Sequence, residues 1–138
     1  MNTEYKTNRH SCYSLKYHLV VVTKYGHKCI NKEVMNRLIE ISNNIFDKWS
    51  CSILEINIEA NYLHIFFEAP PQVQLSKLIN NFKTVSSRLI RKDFAEYLSK
   101  FYSGPYFWSE SYLVLSAGDN AISDIVKQYI QSQAALQE

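Results

Sequence analysis

The residues with the clearest chemical potential lie in two places, a short alternating stretch around His64 and a segment near the C-terminus. Tyr62 and His64 are two positions apart within Glu59–Glu68, and because strand side chains alternate, both lie on one strand face. There a phenol and an imidazole could bind a metal, stack on a base or simply pack. Tyr129 and Gln133 are four positions apart, which places them on one helix face. Spacing alone favours a packed tyrosine with its hydroxyl at the surface.

Basic residues gather in two other segments. Lys24–Lys28 is a basic loop around Gly26, for which composition favours a solvated turn over a phosphate contact. A predicted helix from about Gln74 to Phe94 has one basic face, which could follow a phosphate backbone or could be an ordinary solvated face. That face carries Lys77, Lys83, Arg88, Arg91 and Lys92, with Ser86 and Ser87 among them.

The overall composition is that of an ordinary globular protein. The 138 residues are 46% hydrophobic and 20% charged, which excludes disordered and collagen-like classes and predicts one domain over 1–138. A net charge of +2 does not by itself indicate a polyanion partner. Three widely spaced cysteines without a CxxC pair fit reduced thiols. We find no signal peptide or membrane span in the sequence and expect a cytoplasmic protein with no membrane partner.

Hydrophobic periodicity predicts seven elements after a polar, loose N-terminus over 1–12. Four segments read as strands and three as amphipathic helices, the first capped by Asn31. The strands are Tyr13–Thr23, Ser50–Ile58, Glu59–Glu68 (reached through Ala60 and Asn61) and Ser111–Ser116. In the second strand Leu54, Ile56 and Ile58 are predicted inward and Glu55, Asn57 and Glu59 outward. The helices are Asn31–Trp49, Gln74–Phe94 and Ala121–Gln137.

The order strand, helix, strand, strand, helix, strand, helix predicts an α+β fold of the ferredoxin-like, or RRM-like, layout. Two helices would cover one face of an antiparallel sheet. The C-terminal helix, within 121–138, would then cover the other face, where Tyr62 and His64 point. That arrangement would bring Tyr129 and Gln133 near His64, in the same subunit or across a dimer.

Several segments in this order make the chain similar to a known family. It resembles the single-tyrosine transposases of the HUH superfamily, which move insertion sequences as single-stranded DNA, and the resemblance covers nearly the whole chain. The segments that carry it are Leu15–Tyr25, Glu59–Glu68, Lys83–Arg91, Phe107–Tyr112, Ser116–Gly118 and Val126–Gln133.

The resemblance implies a DNA transposase that binds hairpin ends and cleaves and rejoins single strands through a 5′-phosphotyrosine link. Tyr129 matches the nucleophile, and His64 and Gln133 match metal ligands, with Mg²⁺ or Mn²⁺ as cofactor and a homodimer as the working unit. The helix with Tyr129 is therefore expected to be the catalytic helix. The residues expected to contact DNA are Lys16, Lys24, His27, Lys28, Lys83, Ser86, Ser87, Arg88 and Arg91.

The sequence departs from the family pattern at Tyr62, which stands where a histidine ligand is expected. A neutral phenol is a weak donor, so losing the imidazole should lower metal affinity. Glu55, Asn57 or Glu59, predicted on the same sheet face, could supply a replacement ligand. Gly26 and His27 also replace the arginines usual after the first strand of the family.

The departure leaves alternatives open. One is a catalytically inactive or domesticated relative that binds DNA but has a degenerate metal site. Another, of a different class, is an RNA-binding module, since an open ferredoxin-like sheet with aromatic side chains can stack bases. The RRM glycine-aromatic signature is missing, however, and a C-terminal helix over the sheet would cover such a platform.

Overall fold

The computed structural model describes residues 6–7, 12–118 and 121–136. Its strands are β1 (Lys6–Thr7), β2 (Cys12–Tyr13), β3 (Lys16–Val22), β4 (Ser52–Glu59), β5 (Tyr62–Glu68) and β6 (Leu113–Ser116). Its helices are α1 (Lys32–Lys48), α2 (Leu75–Asp93), α3 (Ala95–Leu98) and α4 (Ile122–Ala134), with a 3₁₀ turn over Lys24–Gly26. The prediction of a loose N-terminus falls largely outside the described residues.

The main sheet is antiparallel, with the strand order β4-β5-β3-β6. This is the ferredoxin-like order, in which the two central strands, β5 and β3, come from different strand-helix-strand units of the chain. A small separate ladder pairs Lys6–Thr7 with Cys12–Tyr13. The predicted α+β fold is therefore confirmed.

The main core lies between one face of the sheet and the helices α1 and α2. Leu63, Ile65 and Phe67 of β5 are fully buried there beside Leu19 and Val21 of β3. Alternation along β5 thus places its odd-numbered residues in the core, as predicted. At the start of α1, the Asn31 side chain accepts a 2.8 Å hydrogen bond from the backbone amide of Val34, which confirms the predicted N-cap.

The opposite face of the sheet is covered in part by α4. Val20 and Val22 of β3 pack there with Val126 of α4, and Tyr62 and Tyr129 border this second, smaller cluster. The C-terminal end of α4 also contacts the 3₁₀ turn, where Gly26 has a φ of +70°. The prediction that the C-terminal helix, which is α4 in the structure, covers part of this face is confirmed.

One predicted strand differs in register. A β-bulge between Ile53 and Glu55 shifts the alternation of β4, so Ile53 and Ile56 face the core and Leu54 is 47% exposed. A bulge adds a residue to one strand without changing its composition. The prediction that Leu54 points inward is therefore wrong, although it holds for Ile56 and Ile58.

Among the described residues, we find no helix with the length and apolar character needed to cross a membrane.

Candidate active site and nucleic-acid interface

His64 lies in the middle of β5, on the sheet face that α4 covers. Its neighbours Leu63 and Ile65 point into the core, so the imidazole points the other way and is half-buried. It borders a cavity of about 450 Å³ between the sheet and α4. The other lining residues are Tyr62 from β5 and Ile122, Ser123, Val126, Lys127, Ile130 and Gln131 from α4 and its start.

The Tyr62 side chain packs against apolar residues and is a poor metal ligand. Its ring borders the apolar cluster of Val20, Val22 and Val126. Burial raises the pKa of the Tyr62 phenol, and the negative charge of Glu59 raises it further. The phenol is thus neutral near pH 7 and is a weak metal donor.

The residue that contacts His64 directly was not predicted from the sequence. His18 of β3 lies diagonally across from His64, and its Nδ1 is 2.9 Å from His64 Nε2. The His18 ring is also stacked on Phe66, with ring centroids 4.5 Å apart. Alternation along the predicted strand Tyr13–Thr23 places His18 on the same face as Val20 and Val22, but its proximity to His64 depends on the pairing register of β3 and β5.

Acidic and amide side chains of β4 share this face, as predicted. Glu55, Asn57 and Glu59 are paired in register with Phe66, His64 and Tyr62, and directly paired residues lie on the same side of a sheet. Asn57 Nδ2 is 3.4 Å from Glu55 Oε1. Among the described residues, however, no group of three His, Cys, Asp or Glu side chains is arranged to hold a metal ion as it stands.

Tyr129 lies on α4 with its hydroxyl 2.6 Å from Ser111 Oγ. Burial raises the pKa of Tyr129, and the hydrogen bond with Ser111 partly opposes that effect. The phenol is therefore protonated near neutral pH. Its partner Ser111 lies just before β6, so the hydroxyl is directed towards the β6 edge of the sheet.

Gln133 lies one turn after Tyr129 and borders a different cleft from His64. That cleft is also lined by Lys24, Tyr25 and Glu110. The α4 residues that line the cavity beside His64 include Lys127 and Gln131 but not Tyr129 or Gln133. The structure of one chain thus places Tyr129 and Gln133 on the helix that covers the His64 face, but does not bring them into the cavity beside His64.

Four of the predicted DNA-contacting residues line one open cleft of about 380 Å³. Lys24 comes from the 3₁₀ turn, and Lys83, Ser87 and Arg91 come from one face of α2. Aromatic rings form the opposite wall, among them the 38% exposed Tyr106. Lysine, arginine and exposed aromatic side chains together suit a phosphate backbone with unstacked bases.

Lys83 also has a structural role within this cleft. Its ammonium donates hydrogen bonds to the backbone oxygens of Ser109 and Ser111, at 2.8 and 2.9 Å. Burial lowers the pKa of Lys83. The ammonium therefore holds the segment that presents the Ser111 hydroxyl to Tyr129, and its third hydrogen remains for another acceptor.

Ser86 is the predicted contact that the structure contradicts. It is fully buried, donates to the Phe82 carbonyl at 2.6 Å and accepts from Trp108 Nε1 at 2.8 Å. The reason is that the buried stripe of α2 runs through Leu78, Ile79, Phe82, Ser86 and Ile90. Ser86 is therefore a core hydrogen-bonding residue with no surface to offer to DNA.

The remaining predicted contacts lie outside this cleft. Lys16 is at the start of β3, Lys28 is exposed after the 3₁₀ turn, and Arg88 is exposed on α2. The His27 ring packs near Tyr102, with centroids 5.2 Å apart.

These features define a class: a ferredoxin-like protein with a basic cleft and a tyrosine-bearing helix laid over a histidine-bearing sheet face. The model of the family described as "Transposase IS200 like" matches residues 11–133. The chain belongs to this family of IS200-like transposases.

Individual relatives agree with the family assignment. The chain is 28% identical over 130 residues to the ISDra2 transposase TnpA of Deinococcus radiodurans, covering 94% of this chain and 91% of that protein. It is 27% identical over 128 residues to the transposase for insertion sequence element IS200 of Salmonella typhimurium, covering 91% and 84%. The homologues indicate a DNA-processing enzyme.

Solved structures show the same fold. A protein of Deinococcus radiodurans described as a candidate transposase matches with a TM-score of 0.86 and 27% identity, over 95% of this chain and 99% of that chain. A REP-associated tyrosine transposase bound to a REP hairpin matches with a TM-score of 0.58 and 8% identity, over 95% and 75%. The second match supports the fold alone.

Proposed function

We propose that this protein cleaves and rejoins single-stranded DNA at the ends of an insertion sequence, with Tyr129 as the nucleophile. The observation that carries the proposal is the position of Tyr129 on α4, the helix that lies over the sheet face of His64. Family membership supports the same conclusion.

The bond changes follow from the chemistry of a phenol. The Tyr129 oxygen attacks a DNA phosphorus and forms a 5′-phosphotyrosine, the bond to the 3′-oxygen breaks, and that oxygen takes up a proton to leave as a hydroxyl. The phenolic proton passes to solvent. Because the pKa of Tyr129 is raised by burial, the phenol must be deprotonated as it attacks. A bound Mg²⁺ or Mn²⁺ would polarise the phosphate and neutralise developing charge.

Tyr129 must reach the His64 face for this reaction. In one chain its hydroxyl is held by Ser111, and Gln133 borders another cleft. We propose that α4 is displaced when DNA binds, or that Tyr129 of the partner subunit of a homodimer completes the site. In either arrangement Gln133 follows Tyr129, since the two share one helix face.

The cleft of Lys24, Lys83, Ser87 and Arg91 is the proposed DNA-binding surface. Lys24 lies 5.1 Å from the Tyr106 ring centroid, which keeps a cation and an aromatic face side by side. A hairpin end with unpaired bases offers phosphates for the cations and base faces for the rings.

A second candidate function is favoured by Tyr62. Because that phenol is packed and neutral, it does not replace the family's missing imidazole, and the protein could be a relative that binds hairpin DNA without cutting it. The RNA-binding hypothesis needs an open sheet face, whereas α4 covers part of it.

The test is to incubate the protein with single-stranded oligonucleotides from candidate element ends and Mn²⁺, and to look for a protein–DNA adduct on a denaturing gel. We expect an adduct that is absent in Tyr129→Phe, with Tyr97→Phe, whose ring packs against Phe101 away from both clefts, as a matched control that retains it. Hairpin binding without any adduct would support the inactive relative instead.

A further inference from the structure

The contact between His18 and His64 is unexplained by the ligands that the family resemblance implies. The two imidazoles come from neighbouring central strands, and their nitrogens Nδ1 and Nε2 are 2.9 Å apart. One nitrogen donates and the other accepts, so the pair holds one shared proton between two lone-pair sites. A metal ion can replace the proton that two histidine nitrogens share, because the same two lone pairs then bind the ion.

Both rings are held in place and are available as ligands. His18 is stacked on Phe66 with an angle of 18° between the ring planes, and the backbone of His64 is anchored on either side by the buried residues Leu63 and Ile65. Neutral imidazole is the form of histidine that binds metal.

The separation of the two nitrogens matches chelation. Two ligands about 2.1 Å from an ion are about 3.0 Å apart at a right angle and about 3.4 Å apart at a tetrahedral angle. The observed 2.9 Å is close to the first value. Small rotations of the two rings would turn both lone pairs towards one ion.

Glu55 is the carboxylate whose charge acts on both histidines, although among the described residues it does not form a three-ligand group with them as it stands. Glu55 of β4 is paired in register with Phe66, the residue on which His18 stacks. Its charge raises the pKa of both histidines, opposing the effect of burial. Glu55 is exposed, and to bind an ion held by the two histidines its side chain would have to turn away from Asn57.

We propose that His18 and His64 chelate a divalent transition-metal ion on this sheet face, with Glu55 as the third ligand and Tyr62 not a ligand. The site deepens the function proposed above, since it supplies from β3 the imidazole that is missing at position 62. Two nitrogens and one carboxylate favour Mn²⁺ or Zn²⁺ over Mg²⁺, which prefers oxygen ligands.

The test is Mn²⁺ binding to the full chain without DNA, measured by the loss of the free Mn²⁺ signal in electron paramagnetic resonance. His18→Phe keeps an aromatic ring against Phe66 but removes the ligand, and it should weaken binding by at least about tenfold. His64→Phe should do the same, and Glu55→Gln should weaken binding less. Tyr62→Phe is the matched control and should leave the affinity unchanged.

A second measurement avoids reliance on the folding of any variant. In the unmodified protein, substoichiometric Mn²⁺ should broaden the imidazole proton resonances of His18 and His64 before those of His27. Unchanged affinity in His18→Phe, loss of affinity in Tyr62→Phe, or no Mn²⁺ binding by the unmodified chain up to millimolar concentration would overturn the proposal.

The outcomes also separate this site from the proposed reaction. If Mn²⁺ binding depends on His18 but no DNA adduct forms, the site stands and the cleavage proposal fails. If the adduct forms and both adduct and Mn²⁺ affinity are unaffected in His18→Phe, the cleavage proposal stands and the His18 site fails.

Discussion

Gly26→Ala should release α4 from the sheet without unfolding the protein. Gly26 has a φ of +70°, and a Cβ placed there would lie 2.5 Å from both Cα and Cβ of Ala134 on α4. The left-handed backbone alone costs an alanine about 1–2 kcal/mol. Because one of the clashing atoms belongs to the α4 backbone, the overlap is relieved only if α4 or the 3₁₀ turn moves.

The helix is the element expected to move. Of its residues, Val126 is the one that is buried, whereas the 3₁₀ turn is tied to the core by a 2.7 Å hydrogen bond from the Tyr102 hydroxyl to the Lys24 carbonyl. A shift of about 1.4 kcal/mol in the docking equilibrium would raise the open population of α4 about tenfold.

Hydrogen exchange read by mass spectrometry tests this prediction. Peptides from residues 121–136 should exchange about tenfold faster in Gly26→Ala, while peptides from α1 and β5 should be unchanged. Gly118→Ala is the matched control, since a Cβ at Gly118 meets nothing within 4 Å. Equal protection of α4 in both variants would refute the claim that a Cβ at position 26 displaces α4.

Three further predictions concern stability and reactivity. Asn31→Ala removes the helix cap at the start of α1 and should lower the free energy of unfolding in urea by about 1 kcal/mol, whereas exposed Asn44→Ala should not lower it. Ser86→Ala leaves the buried indole N–H of Trp108 without its acceptor and should cost about 1–3 kcal/mol in the same assay; no loss would contradict the assigned hydrogen bond. Burial raises the pKa of Cys51 to about 11, so at pH 8 only about one thiol in a thousand is ionised and alkylation should be slow until the pH approaches that value. Rapid labelling of the Cys51 peptide in native protein at pH 8 would contradict its burial.

The sequence is sufficient to predict the fold because its local signals agree with one another. The Asn31 cap, the alternation of Leu63, Ile65 and Phe67, and the order of the elements all point to one topology. The error at Leu54 arises because a bulge leaves no mark in hydrophobic periodicity.

The site is less predictable because it depends on tertiary geometry. Strand alternation assigns His18 and His64 to faces, but only the register of β3 against β5 brings their nitrogens together. Ser86 looks like a surface serine until the buried stripe of α2 and the Trp108 indole are both placed. The partners of Tyr129 depend on how α4 docks, which the spacing of Tyr129 and Gln133 does not determine.

The central claim is that a divalent cation binds beside His64 on the face covered by α4. Anomalous diffraction from a crystal of this protein soaked in Mn²⁺ tests it most directly. The account predicts a manganese peak about 2.1 Å from both His18 Nδ1 and His64 Nε2, with the Glu55 carboxylate turned towards it. A peak on the Tyr62 hydroxyl, or no peak near His64, would contradict it.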